Sequence, residues 1–217
     1  DLFTIKEGEK WANNELQHYV DDEENLFISK DGLVIKATNP KKGIYHSARI
    51  HTKGKFAFKY GQIDITAKVP KGKGTWPALW MMPEENKYGH WPKSGEIDIM
   101  EHVGRDENNL FLCLHTEKYN HRDGDPFYTE HLVQDATTSF HTYSIKWEKD
   151  AITYLIDGNI IVTYNKYDRQ DQSHRGWPFD ERFYLIMNMA IGGKFGGEVD
   201  DSIFPKSFII QKITVKQ

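Results

Sequence analysis

Three carboxyl side chains fall within six residues of one another: Glu96, Asp98 and Glu101, in the run Ser94-Gly95-Glu96-Ile97-Asp98-Ile99-Met100-Glu101. Alternate side chains of an extended strand share a face, so Ile97 and Ile99 point to one side and Glu96 and Asp98 to the other. Strict alternation would put Glu101 with the isoleucines, where an unpaired carboxylate is costly to bury. A one-residue bulge resolves the conflict: it sets two residues opposite one partner and returns Glu101 to the acidic face. Three carboxyls in file cannot all ionise freely, so at least one is expected to hold its proton to higher pH than usual. Such a carboxyl can donate a proton near neutrality while an ionised neighbour attacks carbon. Cleaving a glycosidic bond needs a pair of this kind, about 5 Å apart for retention of anomeric configuration and farther apart for inversion. On these residues alone two other readings stay open. One is a solvated acidic strand face without chemistry. The other is a cation site joined by His102 and His115, although pleat parity sets His102 opposite Glu101.

The elements that must position this strand are strands themselves. Leu26–Ser29 and Leu33–Ala37 flank the turn Lys30-Asp31-Gly32 as a hairpin. Lys55–Tyr60, Gln62–Val69 and the apolar Trp76–Met82 follow, then a loop over Pro83–Ser94. Glu96–Val103 and Leu110–Thr116 read as strands, and Lys118–Phe127 as a polar loop. A meander comes next: Phe140–Trp147, with Tyr143, Ile145 and Trp147 on one side, then Ile152–Ile156 and Ile160–Tyr164, joined at Lys149-Asp150 and Asp157-Gly158. Asn165–Asp180 is a loop, Phe183–Ala190 an apolar strand, Gly192–Gly197 a flexible rim, and Ser207–Lys216 the closing strand. About a dozen short strands, no long helix and no internal repeat predict an all-β sandwich, a single domain over residues 1–217.

Composition narrows the function classes. The 28 basic and 32 acidic residues are interspersed, with a net charge of -4, and no basic block marks a nucleic-acid partner. No apolar run approaches the roughly 20 residues of a membrane span. The single cysteine, Cys113, forbids an intrachain disulfide. The 6 Trp and 11 Tyr serve either a sheet core or the walls of a sugar cleft, since the apolar face of a pyranose stacks on an aromatic ring. The chain begins with Asp1 and reads as a mature or excised stretch of a secreted protein.

The pattern around the carboxyls extends along the chain. Trp11-Ala12-Asn13-Asn14-Glu15-Leu16-Gln17, Ser47-Ala48-Arg49-Ile50, Gly74-Thr75-Trp76-Pro77-Ala78-Leu79-Trp80-Met81, Trp91-Pro92-Lys93-Ser94-Gly95, Phe140-His141-Thr142-Tyr143, Asn188-Met189-Ala190-Ile191-Gly192-Gly193 and Phe204-Pro205 accompany the acidic strand. In this order they resemble glycoside hydrolase family 16. The spacing Glu-x-Asp-x-x-Glu is that family's longer form, found in laminarinases and also in agarases and carrageenases. The resemblance implies a jelly-roll β-sandwich of two curved antiparallel sheets with a concave substrate cleft. It makes Glu96 the nucleophile, Glu101 the general acid/base and Asp98 the residue tuning both, in a retaining endo-β-1,3-glucanase of the laminarinase type that also takes mixed-linkage β-1,3-1,4-glucan. It implies a secreted monomer whose partner is the polysaccharide, with no nucleic acid, no membrane, no cofactor and no catalytic metal. A structural calcium on the convex face is compatible with it, although no contiguous calcium loop is present. A non-catalytic glucan-recognition module and a hydrolase of another polysaccharide such as agarose are the alternatives. Relatives begin with an edge strand well before the first of these segments, but here only ten residues precede Trp11, so that strand is expected to be absent or replaced.

Further residues are candidates for substrate contact. Trp91, in a polar loop five residues before Glu96, is expected to stack on sugar. Trp76 and Trp80 share pleat parity, on either a core or a cleft face, and the family pattern tips Trp80 toward the cleft. His115 is structural or, by the resemblance, near the leaving-group sugar. Asn14 and Arg49 either bind hydroxyls or serve as a turn cap and a surface ion pair. Asn188, polar in an apolar strand, needs a partner: a cleft hydroxyl or a backbone group. Phe195 is a candidate platform on the glycine-rich rim. Cys113 is a poor nucleophile, because neighbouring carboxylates would raise its pKa.

Overall fold

The computed structural model describes residues 2–217. Among these residues the strands are β1 (Thr4–Ile5), β2 (Gln17–Tyr19), β3 (Leu26–Ser29), β4 (Gly32–Lys41), β5 (Ile44–Ser47), β6 (Arg49–His51), β7 (Gly61–Lys68), β8 (Thr75–Pro83), β9 (Glu96–His102), β10 (Asn109–His115), β11 (Phe127–Leu132), β12 (His141–Trp147), β13 (Ala151–Ile156), β14 (Asn159–Asn165), β15 (Phe183–Ile191) and β16 (Lys206–Lys216). They form two sheets. One has seven strands in the order β1-β6-β15-β8-β9-β10-β11; the other has nine, β14-β13-β12-β7-β16-β4-β5-β2, with β3 paired to β4. All pairings are antiparallel except β2 with β5. The result is a jelly-roll sandwich.

Alternation builds the core between the sheets. Leu79 and Met81 of β8, Leu112 and Leu114 of β10, and Leu185, Met187 and Met189 of β15 face inward from the seven-stranded sheet. They meet Ile63 and Ile65 of β7, Tyr143, Ile145 and Trp147 of β12, and Phe208 of β16. Tyr143, Ile145 and Trp147 are at most 1% exposed, the single face expected of the meander. Each large apolar side chain buried this way contributes about 1.5–3 kcal/mol. The opposite face of the seven-stranded sheet is thereby left free to carry polar groups.

Three expectations change. Lys55–Tyr60 is not a strand: Phe58 makes an isolated bridge to Phe183, the Thr52 carbonyl accepts from the amides of Lys55 and Phe56 in a turn, and Tyr60 has a φ of 59°. That left-handed residue breaks extension just before Gly61, where a Cβ would lie 2.3 Å from the Lys216 carbonyl oxygen. The polar loop after β10 ends in β11, whose Tyr-Thr-Glu-His content hides a strand at the sheet edge. The rim over Gly192–Gly197 contains a helical turn, Gly193–Gly196. At the other edge, where a strand was expected to be absent or replaced, Thr4 and Ile5 pair with His51 and Ile50.

Candidate active site

Register shows how β9 carries its carboxyls. Against β8, Met81 and Trp80 pair with Ile97 and Asp98, and Leu79 and Ala78 with Met100 and Glu101, leaving Ile99 as the extra residue. The ladder to β10 shifts at the same place: Cys113 pairs with Asp98 and Phe111 with Glu101. Ile97, Ile99 and Met100 are all at most 1% exposed in the core. The bulge expected from the hydrophobic pattern is thus present, and Glu101 lies in one file with Glu96 and Asp98 on the outward face.

Each carboxyl has different company. The indole N–H of Trp91 donates to Glu96 Oε2. Burial raises the Glu96 pKa, opposed by a hydrogen bond with Asp98, by the Trp91 bond and by the Arg49 charge. Asp98, 3% exposed, is pushed well above the usual carboxylate range by burial and then by the charges of Glu96 and Glu101. Glu101 accepts from Trp76 Nε1 at 2.9 Å. Burial raises its pKa to about 7 against that bond, with Glu96 and Glu15 adding to the rise. The three are therefore unequal: Glu96 has three partners favouring its ionised form, Asp98 has burial and two like charges raising its pKa, and the Glu101 pKa is raised to about 7.

The surrounding residues sort by what they touch. Arg49 lies between the rings of Trp11 and Trp80, its guanidinium carbon 4.9 and 4.8 Å from their centroids, rather than in a surface ion pair. Trp80 is half-buried, and its Nε1 donates to Asn188 Oδ1 at 2.7 Å. Asn188 in turn donates to the Tyr19 hydroxyl at 2.9 Å. Its partners within the protein are two side chains rather than a backbone group, so Asn188 orients Trp80. Trp91 is a donor to Glu96 before it is a wall. The Arg122 guanidinium sits 4.4 Å from the centre of its ring, and His121 is 5.2 Å away. His115 pairs with Glu96 across the ladder, and its Nε2 is 3.4 Å from Asp98 Oδ2; burial lowers its pKa to about 3, so it is neutral. Phe195 packs edge-on against Trp76 and Phe111, with centroids 5.3 and 4.9 Å apart, and so braces Trp76. Asn14 is exposed with a φ of 58°, the turn position its residue type favours. His102 is buried with its Nε2 3.2 Å from the Glu107 carbonyl, so it cannot join the carboxyls around a cation.

Trp76, Glu15 and Tyr19 are site residues that sequence reasoning did not select. Trp76 was accessible to it, since it shares parity with Trp80 four residues on. Glu15 and Tyr19 reach the site from outside the seven-stranded sheet, Tyr19 from the three-residue β2, where no periodicity points to them. The bond from Gln17 Nε2 to Glu15 Oε2, 2.8 Å, and that from Ile191 N to Gln17 Oε1, 2.7 Å, hold this segment against β15.

A β-sandwich whose open face carries two glutamates in different surroundings on either side of an aspartate has the architecture of a carboxylate-dependent glycoside hydrolase. The chain belongs to the glycosyl hydrolases family 16, whose pattern matches residues 13–198. It is 39% identical over 217 residues to a β-glucanase of Rhodothermus marinus, spanning 96% of this chain and 76% of that protein. It is 38% identical over 204 residues to glucan endo-1,3-β-glucosidase A1 of Niallia circulans, spanning 86% of this chain and 30% of that one. Its structure is similar to that of the Rhodothermus marinus laminarinase, with a TM-score of 0.93, 37% identity, and coverage of 99% of this chain and 89% of the other.

Proposed function

We propose that the protein is a retaining endo-β-1,3-glucanase that cuts laminarin-type glucan inside the chain and also accepts mixed-linkage β-1,3-1,4-glucan. The observation that carries the chemistry is the bulged β9, which sets Glu96 and Glu101 in one file on either side of Asp98, with the Glu101 pKa raised to about 7. Protonated Glu101 gives its proton to the glycosidic oxygen as the anomeric C–O bond breaks. The Glu96 carboxylate forms a bond to the anomeric carbon, leaving a glycosyl ester. Water then attacks that carbon, Glu101 takes the water's proton, and Glu96 departs as carboxylate. Asp98 hydrogen-bonds Glu96 and steadies the charge that reappears there when the ester is cleaved. Trp80, held by Asn188 and faced by Arg49, offers an indole for the apolar side of a glucose ring.

The β-1,3 preference is supported by the similarity to laminarinases, and the internal cut by a site laid on an open sheet face rather than at the end of a closed pocket. Action outside the cell follows from a polymeric substrate too large to cross a membrane. Product analysis on laminarin, lichenan and agarose tests the reading. Short β-1,3-oligosaccharides from laminarin, with a mixture of sizes early in digestion, are expected. Cleavage of agarose with laminarin untouched would reject it.

A further inference from the structure

Beside the carboxyl file, β10 places a thiol and an imidazole within reach of Asp98. Cys113 pairs with Asp98 across the ladder, and His115 lies two residues further on the same face. All three are more than nine-tenths buried, with 3% of Asp98, 3% of Cys113 and 6% of His115 exposed. His115 Nε2 is 3.4 Å from Asp98 Oδ2 and 3.4 Å from Cys113 Sγ, and the three donor atoms all lie within 4.8 Å of one another. Asp98 Oδ2 is buried with no hydrogen-bond partner, although it points into this cluster. An acid/base role for Asp98 needs only its contact with Glu96; it does not require a thiol and a neutral imidazole converging on the other side.

The spacing has a chemical meaning. With metal–nitrogen and metal–oxygen bonds of about 2.0 Å and a metal–sulfur bond of about 2.3 Å, tetrahedral angles separate nitrogen from sulfur by about 3.5 Å and nitrogen from oxygen by about 3.3 Å. Both separations measured here are 3.4 Å. One thiolate, one imidazole and one carboxylate form a donor set suited to zinc and its softer congeners, and unsuited to calcium or magnesium, which take oxygen ligands.

We propose that Asp98, Cys113 and His115 form a binding site for a soft divalent cation of the zinc or cadmium class, and that its occupancy shuts the enzyme down. As the metal–sulfur bond forms, the thiol proton passes to solvent, and a proton on Asp98 leaves in the same way. The metal then holds the Asp98 carboxylate, which can no longer donate to Glu96. Binding itself does not depend on the proposed function; the inhibition rests on that reading.

The experiment titrates the full chain, freed of metal, with cadmium chloride. It follows the ultraviolet thiolate-to-cadmium charge-transfer band and the heat of binding, with laminarin hydrolysis assayed in parallel. One equivalent is expected to bind, with the band appearing, activity falling in proportion and a chelator restoring it; calcium chloride is expected to do none of this. Cys113→Ala should fold, keep its metal-free activity, lose the band, bind cadmium about tenfold or more weakly and escape inhibition. His115→Gln, read by binding alone, should also weaken the site. The proposal is overturned if the wild-type chain gives no cadmium–sulfur band, or if Cys113→Ala binds cadmium and is inhibited as the wild type is. Failure of the metal-free enzyme to cut laminarin would strike the proposed function and leave the band as an independent reading of the site.

Discussion

At the scale of single residues, the proposed division of labour comes from unequal hydrogen-bond and charge partners. Glu96 and Glu101 are the same residue type on the same strand. One is hydrogen-bonded by Asp98 and Trp91 and faces Arg49; the other has the Trp76 N–H and two carboxylate neighbours. The profile of kcat/KM against pH should therefore be bell-shaped. Its acid limb follows ionisation of Glu96, above the ordinary glutamate value, and its alkaline limb follows loss of the Glu101 proton at about 7. Trp76→Phe removes a donor that favours ionised Glu101, so Glu101 should keep its proton to higher pH and the alkaline limb should move upward. Glu101→Gln should lower turnover by about 10²–10⁴-fold. On an activated aryl glucoside, azide should restore part of that rate by taking the place of base-activated water. A variant with wild-type rates, or an alkaline limb that stays put in Trp76→Phe, would refute these assignments.

At the scale of the element, the bulge in β9 is what makes the site. Deleting Ile99 turns the run into Glu-Ile-Asp-Met-Glu, which strict alternation keeps on one face without a bulge, so hydrolysis should persist. Deleting both Ile99 and Met100 should turn Glu101 toward the core and abolish hydrolysis, with thermal unfolding shifted down because a carboxyl is then buried without partners. Asn188→Ala leaves the Trp80 N–H and the Tyr19 hydroxyl without their partner, which should cost about 1–3 kcal/mol of stability. It should also raise KM for laminarin more than it lowers kcat, because it loosens a ring proposed to stack on substrate rather than a group that reacts. The bulge was legible in the sequence because Ile97, Ile99 and Met100 form an apolar count that no simple alternation reconciles with Glu101. The meander β12–β14 was legible for the same reason, clean period-two burial between strong turn residues. The chain of bonds from Trp80 through Asn188 to Tyr19 was not. Its members come from segments far apart in sequence, and a side chain that bonds another side chain leaves no local pattern. The short strands β2, β5 and β6 escaped too, since three or four residues are too few for alternation to register.

At the scale of the whole molecule, the site carries a stability penalty that depends on pH. Glu96, Asp98 and Glu101 all have folded pKa values raised above their ordinary ones, so the folded chain binds protons more tightly than the unfolded chain. Their contribution is favourable at acid pH and is lost as pH rises, for Glu101 between about 4.5 and about 7. Glu101→Gln keeps an acceptor for Trp76 and removes the charge. Denaturant unfolding should find it more stable than wild type at about pH 8, by on the order of 2 kcal/mol, with the difference vanishing near pH 4.5. Stability that is independent of the substitution at both pH values would show that the carboxyl is solvated. The most direct test of the whole account is to incubate the enzyme with an activated 2-deoxy-2-fluoro-laminaribioside and map the trapped sugar by peptide mass spectrometry. A single glycosyl ester on Glu96 is expected; a label on Glu101, or turnover that yields inverted product with no ester at all, would contradict it.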